Sequence, residues 1–249
     1  MQIYWLEQDA AEVSDEADWL SAAELARLSS FHIAKRRRDW RLGRWTAKHA
    51  VAAYLKLASE PSTLAAIEIR SAASGAPEAF LDGYRARASI SLSHRDGCAA
   101  CAVASQEFTL GCDLEVVEPR CEAFVTDYFS LDEQQAIARA PGSERFRLLA
   151  LLWSAKESAL KALRTGLRMD VRSVWISFGE ALTDANTLAL GDSSCTAGWR
   201  PFTAHHPDGI FYGWYACSGT FVRTIVSAPQ CGPPMALQAG LVVSTPLAM

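Results

Sequence analysis

The predicted elements run helices and then strands, twice over, without the even strand–helix–strand rhythm that a parallel sheet requires. Ile3–Glu7 reads as a short strand, and Ser21-Ala22-Ala23-Glu24 is a capping-box pattern that opens a short helix. A long helix is predicted from Ala34 to Leu57, rich in helix formers and free of proline until Pro61. At 100° per residue Trp40, Gly43, Ala47, Val51 and Tyr54 share a face and form its core stripe, while Arg37, Arg41, Arg44 and Lys48 form a basic stripe beside it. Ile67–Arg70 reads as a strand, and a Gly/Pro loop follows at Ser74-Gly75-Ala76-Pro77. The alternating segment Ser89–Ser93, the turn His94–Gly97 and the apolar run Cys98–Ser105 predict a hairpin. The pattern then restarts. Phe108–Val117 alternates as a strand, and Ser130-Leu131-Asp132-Glu133 is a second capping box. Its helix closes at Pro141-Gly142, and a longer helix runs from about Glu144 to Leu163 with Gly166 as its C-cap. Antiparallel strands are expected at Val174–Phe178, Trp199–Ala204, Phe211–Ala216 and Phe221–Val226. The expected fold class is α+β: two similar halves, each with an antiparallel sheet and one long helix. The halves are residues 1–107 and 108–228, and a Pro/Gly/Ala-rich loose tail fills 229–249.

A chain of 249 residues, 50% hydrophobic and 21% charged, can bury a large core and is not a disordered one. No apolar run reaches the ~18 residues of a membrane-spanning helix. Glu7 and Asp9 stand where a secretory leader would carry lysine or arginine, so a cytoplasmic address is expected. The net charge of -4 argues against a general nucleic-acid or membrane-surface binder. Charge is uneven, however. Between Lys35 and Lys48 stand seven basic residues and one acid, Asp39, a concentration that suggests a local anionic ligand. Seven cysteines without framework spacing read as reduced thiols; Cys98 and Cys101 form a C-x-x-C inside an apolar strand and read as small core residues.

Three stretches can carry chemistry. In Gly111-Cys112-Asp113-Leu114-Glu115, the two carboxylates point the same way on a strand, with Cys112 and Leu114 toward the core. Such a pair is either solvated surface or a site for a cation, and hard oxygen donors favour Mg2+ or Mn2+. In Trp153-Ser154-Ala155-Lys156-Glu157-Ser158-Ala159-Leu160-Lys161, Glu157 and Lys161 lie one helical turn apart. They form an ordinary i,i+4 ion pair, or else a third carboxylate beside a cation for phosphate. Ser93-His94 places a hydroxyl and an imidazole at a strand end, with no third group in sequence to complete a hydrolase triad.

In order and spacing these stretches, with Gly43-Arg44 and Gly75-x-Pro77, resemble the 4′-phosphopantetheinyl transferases in their longer, surfactin-synthetase form. The resemblance spans roughly residues 1–226. It implies a pseudo-twofold fold, with the site in the cleft between the halves and a monomeric chain. It implies transfer of the 4′-phosphopantetheine arm of CoA to a serine of an apo acyl or peptidyl carrier protein, with release of 3′,5′-ADP. Asp113, Glu115 and Glu157 would bind Mg2+, with Mn2+ as a substitute. Arg44, Gly75, Ser93, His94 and Lys161 would hold CoA, and Arg41 and Lys48 are weaker candidates on the same stripe. Glu157 and Lys161 would be catalytic: Lys161 at the leaving phosphate, Glu157 or a metal-bound water as the base. Ala76 stands where the family often has a basic residue, and Cys112 where it usually has a β-branched one. A non-catalytic CoA-binding module docking on a synthase, and a metal-dependent phosphohydrolase, are the alternatives.

Overall fold

The computed structural model describes residues 2–165, 169–178 and 198–238. Gly166, expected as a C-cap, and residues 239–249 of the expected tail lie outside the described residues. The chain divides into two compact units, one formed by Gln2–Glu107 with the segment from Met235, the other by Phe108–Pro234. The class is α+β, and among the described residues the sheets are antiparallel apart from one short parallel pairing. No described helix is long and apolar enough to cross a membrane.

In the first unit β1 (Tyr4–Asp9) leads to α1 (Ala22–Ser29), the long α2 (Ala34–Tyr54) and the short α3 (Pro61–Ala66). A small sheet follows in the order β2 (Ile67–Ser71), β3 (Pro77–Leu81) and β4 (Tyr84–Arg85). The hairpin of β5 (Ala88–Arg95) and β6 (Cys98–Ser105) comes next, and β6 pairs antiparallel with β1. The core gathers Leu6, Ala47, Val51, Ile67, Ile90 and Val103, so the predicted apolar stripe of α2 is the buried one.

The second unit opens with β7 (Thr109–Val116), followed by α4 (Glu122–Tyr128), α5 (Leu131–Arg139) and the long α6 (Gly142–Ala162). Then come β8 (Trp175–Ser177), β9 (Arg200–His206), β10 (Gly209–Ser218) and β11 (Phe221–Ala228). The sheet order is β7-β11-β10-β9-β8, with α6 against one face. Both units therefore follow one plan internally: a strand, a capped helix and a 21-residue helix, then a hairpin whose last strand pairs antiparallel with the first. Where the sequence suggested a loose tail, β12 (Met235–Ala236) instead pairs parallel with β1. That strand offers no alternation of its own and is held by Met235 N–H on Ile3 O and Leu237 N–H on Trp5 O.

Each capping box supports more than a helix start. Ser21 caps α1, and its partner Glu24 also accepts from the Lys48 ammonium at 2.5 Å. Ser130 caps α5, and Glu133 pairs with Lys156 at 2.9 Å. Both lysines are 0% exposed. Each spends its remaining protons on two carbonyls, those of Trp19 and Leu64 for Lys48 and of Val171 and Val174 for Lys156. A buried ammonium persists only when paired and hydrogen-bonded in this way.

Candidate functional site

In the first unit a cleft of about 700 Å³ opens between α1, α2, β2 and the end of β5. Arg27, Lys35, Arg36, Arg44 and His94 line it, together with the rings of Phe31 and Trp40. Arg27 and Arg36 lie over Phe31 at 5.0 and 5.4 Å, and Arg44 over Trp40 at 4.9 Å. The aromatic faces hold these guanidiniums by cation–π attraction, and Arg44 Nε also stands 3.9 Å from a Glu24 carboxylate oxygen. Burial pulls the Arg44 guanidinium below its ordinary pKa, and Glu24 opposes that shift. An anion entering the cleft would meet planar donors suited to bidentate phosphate contacts.

The structure brings Arg44 and His94 together here and leaves four other residues out of the cleft's lining. Lys48 is enclosed with Glu24 and is no surface cation. Arg41 turns to the loop before α1, donating to the carbonyls of Ser14, Asp15 and Glu16. A four-residue stripe fixes direction around a helix axis but not what the neighbouring loop covers, which is why these two read alike with Arg44 in the sequence. Ser93 is buried and, one residue from His94 on β5, points from the opposite face of the strand. Gly75 takes φ +88° in its turn, a left-handed conformation suited to glycine, and does not line the cleft. Arg27 was not anticipated; its signal is the spacing of four from Phe31, which sets the guanidinium over the ring.

In the second unit β7 and α6 meet along a row of polar groups. Asp113 pairs in register with Thr224 of β11, whose hydroxyl bonds Ser154 and Ser158 of α6, so Asp113 shares the α6 face of the sheet. Gly111 and Glu115, two residues either side, face the same way. Cys112 and Leu114 are buried as expected, but on the sheet face away from α6. Gly111 is needed for close approach: a Cβ there would overlap the Ser158 carbonyl oxygen and sit 2.7 Å from the Ala162 nitrogen.

Lys161 donates to Asp113 Oδ1 at 2.7 Å and to the Cys112 carbonyl at 3.0 Å. Burial alone would lower the Lys161 pKa, but Asp113 and Glu157 outweigh it and the net shift is upward. Glu157 moves up as well, by burial first and then by the nearby charge of Asp113, with Lys161 opposing. Glu115 receives the Trp153 indole at 3.2 Å on one oxygen and Arg120 at 3.3 Å on the other.

The donor set of Asp113, Glu115 and Glu157 is all carboxylate oxygen, and Glu157 is raised by burial and then by its like-charged neighbours, the second of which a hard divalent cation would relieve. Among the described residues, no three His, Cys, Asp or Glu side chains are gathered as a ready-made metal cage. Lys161 and Arg120 supply the positive charge facing Asp113 and Glu115.

A repeat missed in the sequence becomes legible once the two ion pairs are seen. Trp45-Thr46-Ala47-Lys48 of α2 matches Trp153-Ser154-Ala155-Lys156 of α6, and Ser21-x-x-Glu24 matches Ser130-x-x-Glu133. The residue after the lysine is His49 in one copy and Glu157 in the other.

Comparison with known proteins bears on both units. Residues 109–207, which hold the row on β7 and α6, match the model of the 4′-phosphopantetheinyl transferase superfamily. Over 166 residues the chain is 28% identical to the 4′-phosphopantetheinyl transferase HetI of Nostoc sp. (strain PCC 7120), an alignment covering 65% of this chain and 67% of that protein.

Proposed function

We propose, proceeding from the enzyme class that both comparisons support, that this 4′-phosphopantetheinyl transferase moves the arm of CoA to a serine of an apo acyl or peptidyl carrier protein. We read it as the longer, surfactin-synthetase form: two copies of one unit in a pseudo-twofold, monomeric, cytoplasmic protein. The observation that carries the reading is Lys161 on Asp113 with Glu157 one turn earlier on α6, inside the segment that matches the family model.

Arg44 and His94 in the first unit's cleft hold a phosphate of CoA, with Arg27 and Arg36 beside them. Gly75 and Ser93, which do not line that cleft, are proposed to reach CoA outside it, through backbone and hydroxyl groups. Asp113, Glu115 and Glu157 would hold Mg2+, or Mn2+ in its place. That ion, when bound, supplies charge neutralisation at the pyrophosphate. Glu157 would take the proton of the attacking serine. The serine oxygen forms a bond to the β-phosphorus, and the bond from that phosphorus to the bridging oxygen breaks. Lys161, held charged by its acidic neighbours, faces the developing charge on the departing 3′,5′-ADP.

The test is incubation with CoA and Mg2+, with and without a panel of apo carriers. A phosphopantetheine mass gain on a carrier, lost in Asp113→Ala while the fold persists, is expected. Release of 3′,5′-ADP without mass gain would make the protein a phosphohydrolase, and no turnover would make it a CoA-binding module. Wild-type transfer by Asp113→Ala would remove the metal assignment.

A further inference from the structure

Glu115 has its two oxygens taken by donors from two different elements. Trp153 Nε1 of α6 donates to Oε1 at 3.2 Å, and Arg120, in the loop before α4, donates to Oε2 at 3.3 Å. The indole is itself fixed. Phe124 and Tyr128 of α4 meet it edge-on, with ring centroids 4.9 and 5.1 Å away. Arg120 lies over Phe124 at 5.2 Å, so the same ring buttresses both donors. A carboxylate held at each oxygen has lost its freedom to rotate about its last bond, and its plane is set before any ligand arrives. Trp153 lies one turn before Glu157 on α6. One helix therefore carries a proposed metal ligand and the group that aims another.

We propose that Trp153 is a positioning residue: its indole N–H, anchored by Phe124 and Tyr128, orients Glu115 toward the ion that Glu115 shares with Asp113 and Glu157. This rests on the metal reading given under Proposed function. The physical reason is general: groups bonded to a ligand's outer oxygen set its direction, and losing one costs roughly 10- to 100-fold in metal affinity.

Trp153→Phe keeps a ring for Phe124 and Tyr128 to pack on and deletes the N–H. Mn2+ binding is followed by the loss of the free-ion paramagnetic resonance signal, with CoA present and no carrier. The dissociation constant for Mn2+ should rise about tenfold in Trp153→Phe. Binding of 3′,5′-ADP without metal should stay within about twofold, because the indole bond does not reach the phosphate contacts. A general loosening of the fold would move both. Equal Mn2+ titrations of wild type and Trp153→Phe would overturn the proposal alone. A wild-type protein that leaves the Mn2+ signal untouched would overturn the metal reading and this proposal with it. Should Trp153→Phe give no cooperative melt, Phe124→Leu displaces the indole without removing it. It should weaken Mn2+ about threefold, roughly half the free energy of the direct loss, and unchanged binding would again overturn the proposal.

Discussion

Lys156 and Glu133 form an ion pair of 2.9 Å in which the ammonium has no contact with solvent. Removing one partner would leave the other charge buried and uncompensated. Lys156→Met and Lys48→Met should each lower the unfolding free energy by about 3 to 5 kcal/mol, read from urea midpoints at constant m. The pH dependence has a definite sign. Burial holds both lysines below the ordinary 10.5, against the pull of their glutamates. Between the lowered folded value and 10.5, the unfolded chain binds protons that the folded chain has released. Stability rises with pH across that alkaline window, and the rise should be shallower in either variant.

Gly111→Ala tests the approach of α6 to β7. The added methyl meets backbone, the Ser158 carbonyl and the Ala162 nitrogen, so no side-chain rotation relieves it. The helix must shift, and overpacking of this kind costs about 1 to 3 kcal/mol. Transfer should fall by more than the stability loss accounts for, since Glu157 and Lys161 ride on the displaced helix. A variant with a lowered melting temperature and full transfer would show that their placement tolerates the shift.

Lys161→Ala removes the cation from Asp113 and, on the proposed mechanism, from the leaving phosphate. Transfer should drop by roughly two orders of magnitude, in the range seen when a preorganised charge facing the transition state is deleted. The measurement is single-turnover transfer to an apo carrier at saturating CoA. An unchanged rate would leave Lys161 and Asp113 as a structural pair.

Arg44→Ala and Arg27→Ala address the cleft of the first unit. Each should weaken CoA binding about tenfold and make it less sensitive to salt, because a phosphate contact contributes a screened, charge-dependent term. Calorimetry at two ionic strengths distinguishes this from Arg41→Ala, whose guanidinium is spent on loop carbonyls and should leave the salt dependence as it is.

Element types were legible because period and capping chemistry are local. Both capping boxes, both long helices and the β5–β6 hairpin stand where hydrophobic spacing predicts them. What escaped depends on long-range contact. Lys48 and Arg44 sit on one basic stripe, yet only a folded chain brings Trp19, Leu64 and Glu24 around the first. Ser93 and His94 are adjacent in sequence and on opposite faces of β5. Gly111 has no turn signature; its need for a hydrogen in place of a methyl comes from a helix some fifty residues later. The W-[ST]-A-K repeat was present in the letters, but four residues carry too little identity to be noticed until two matching ion pairs give them a reason.

Those ion pairs draw a line along each long helix. Over the four positions that end at the lysine the two helices differ only in Thr46 against Ser154, and in each the ammonium reaches its glutamate and its carbonyls. Immediately beyond it they part, His49 and Ala53 in one and Glu157 and Lys161 in the other. The turn after the lysine still buries Ala50 and Val51 in one helix and Ser158 and Ala159 in the other, so what differs there is confined to the positions facing away from that packing, where only the second helix carries a carboxylate and an ammonium.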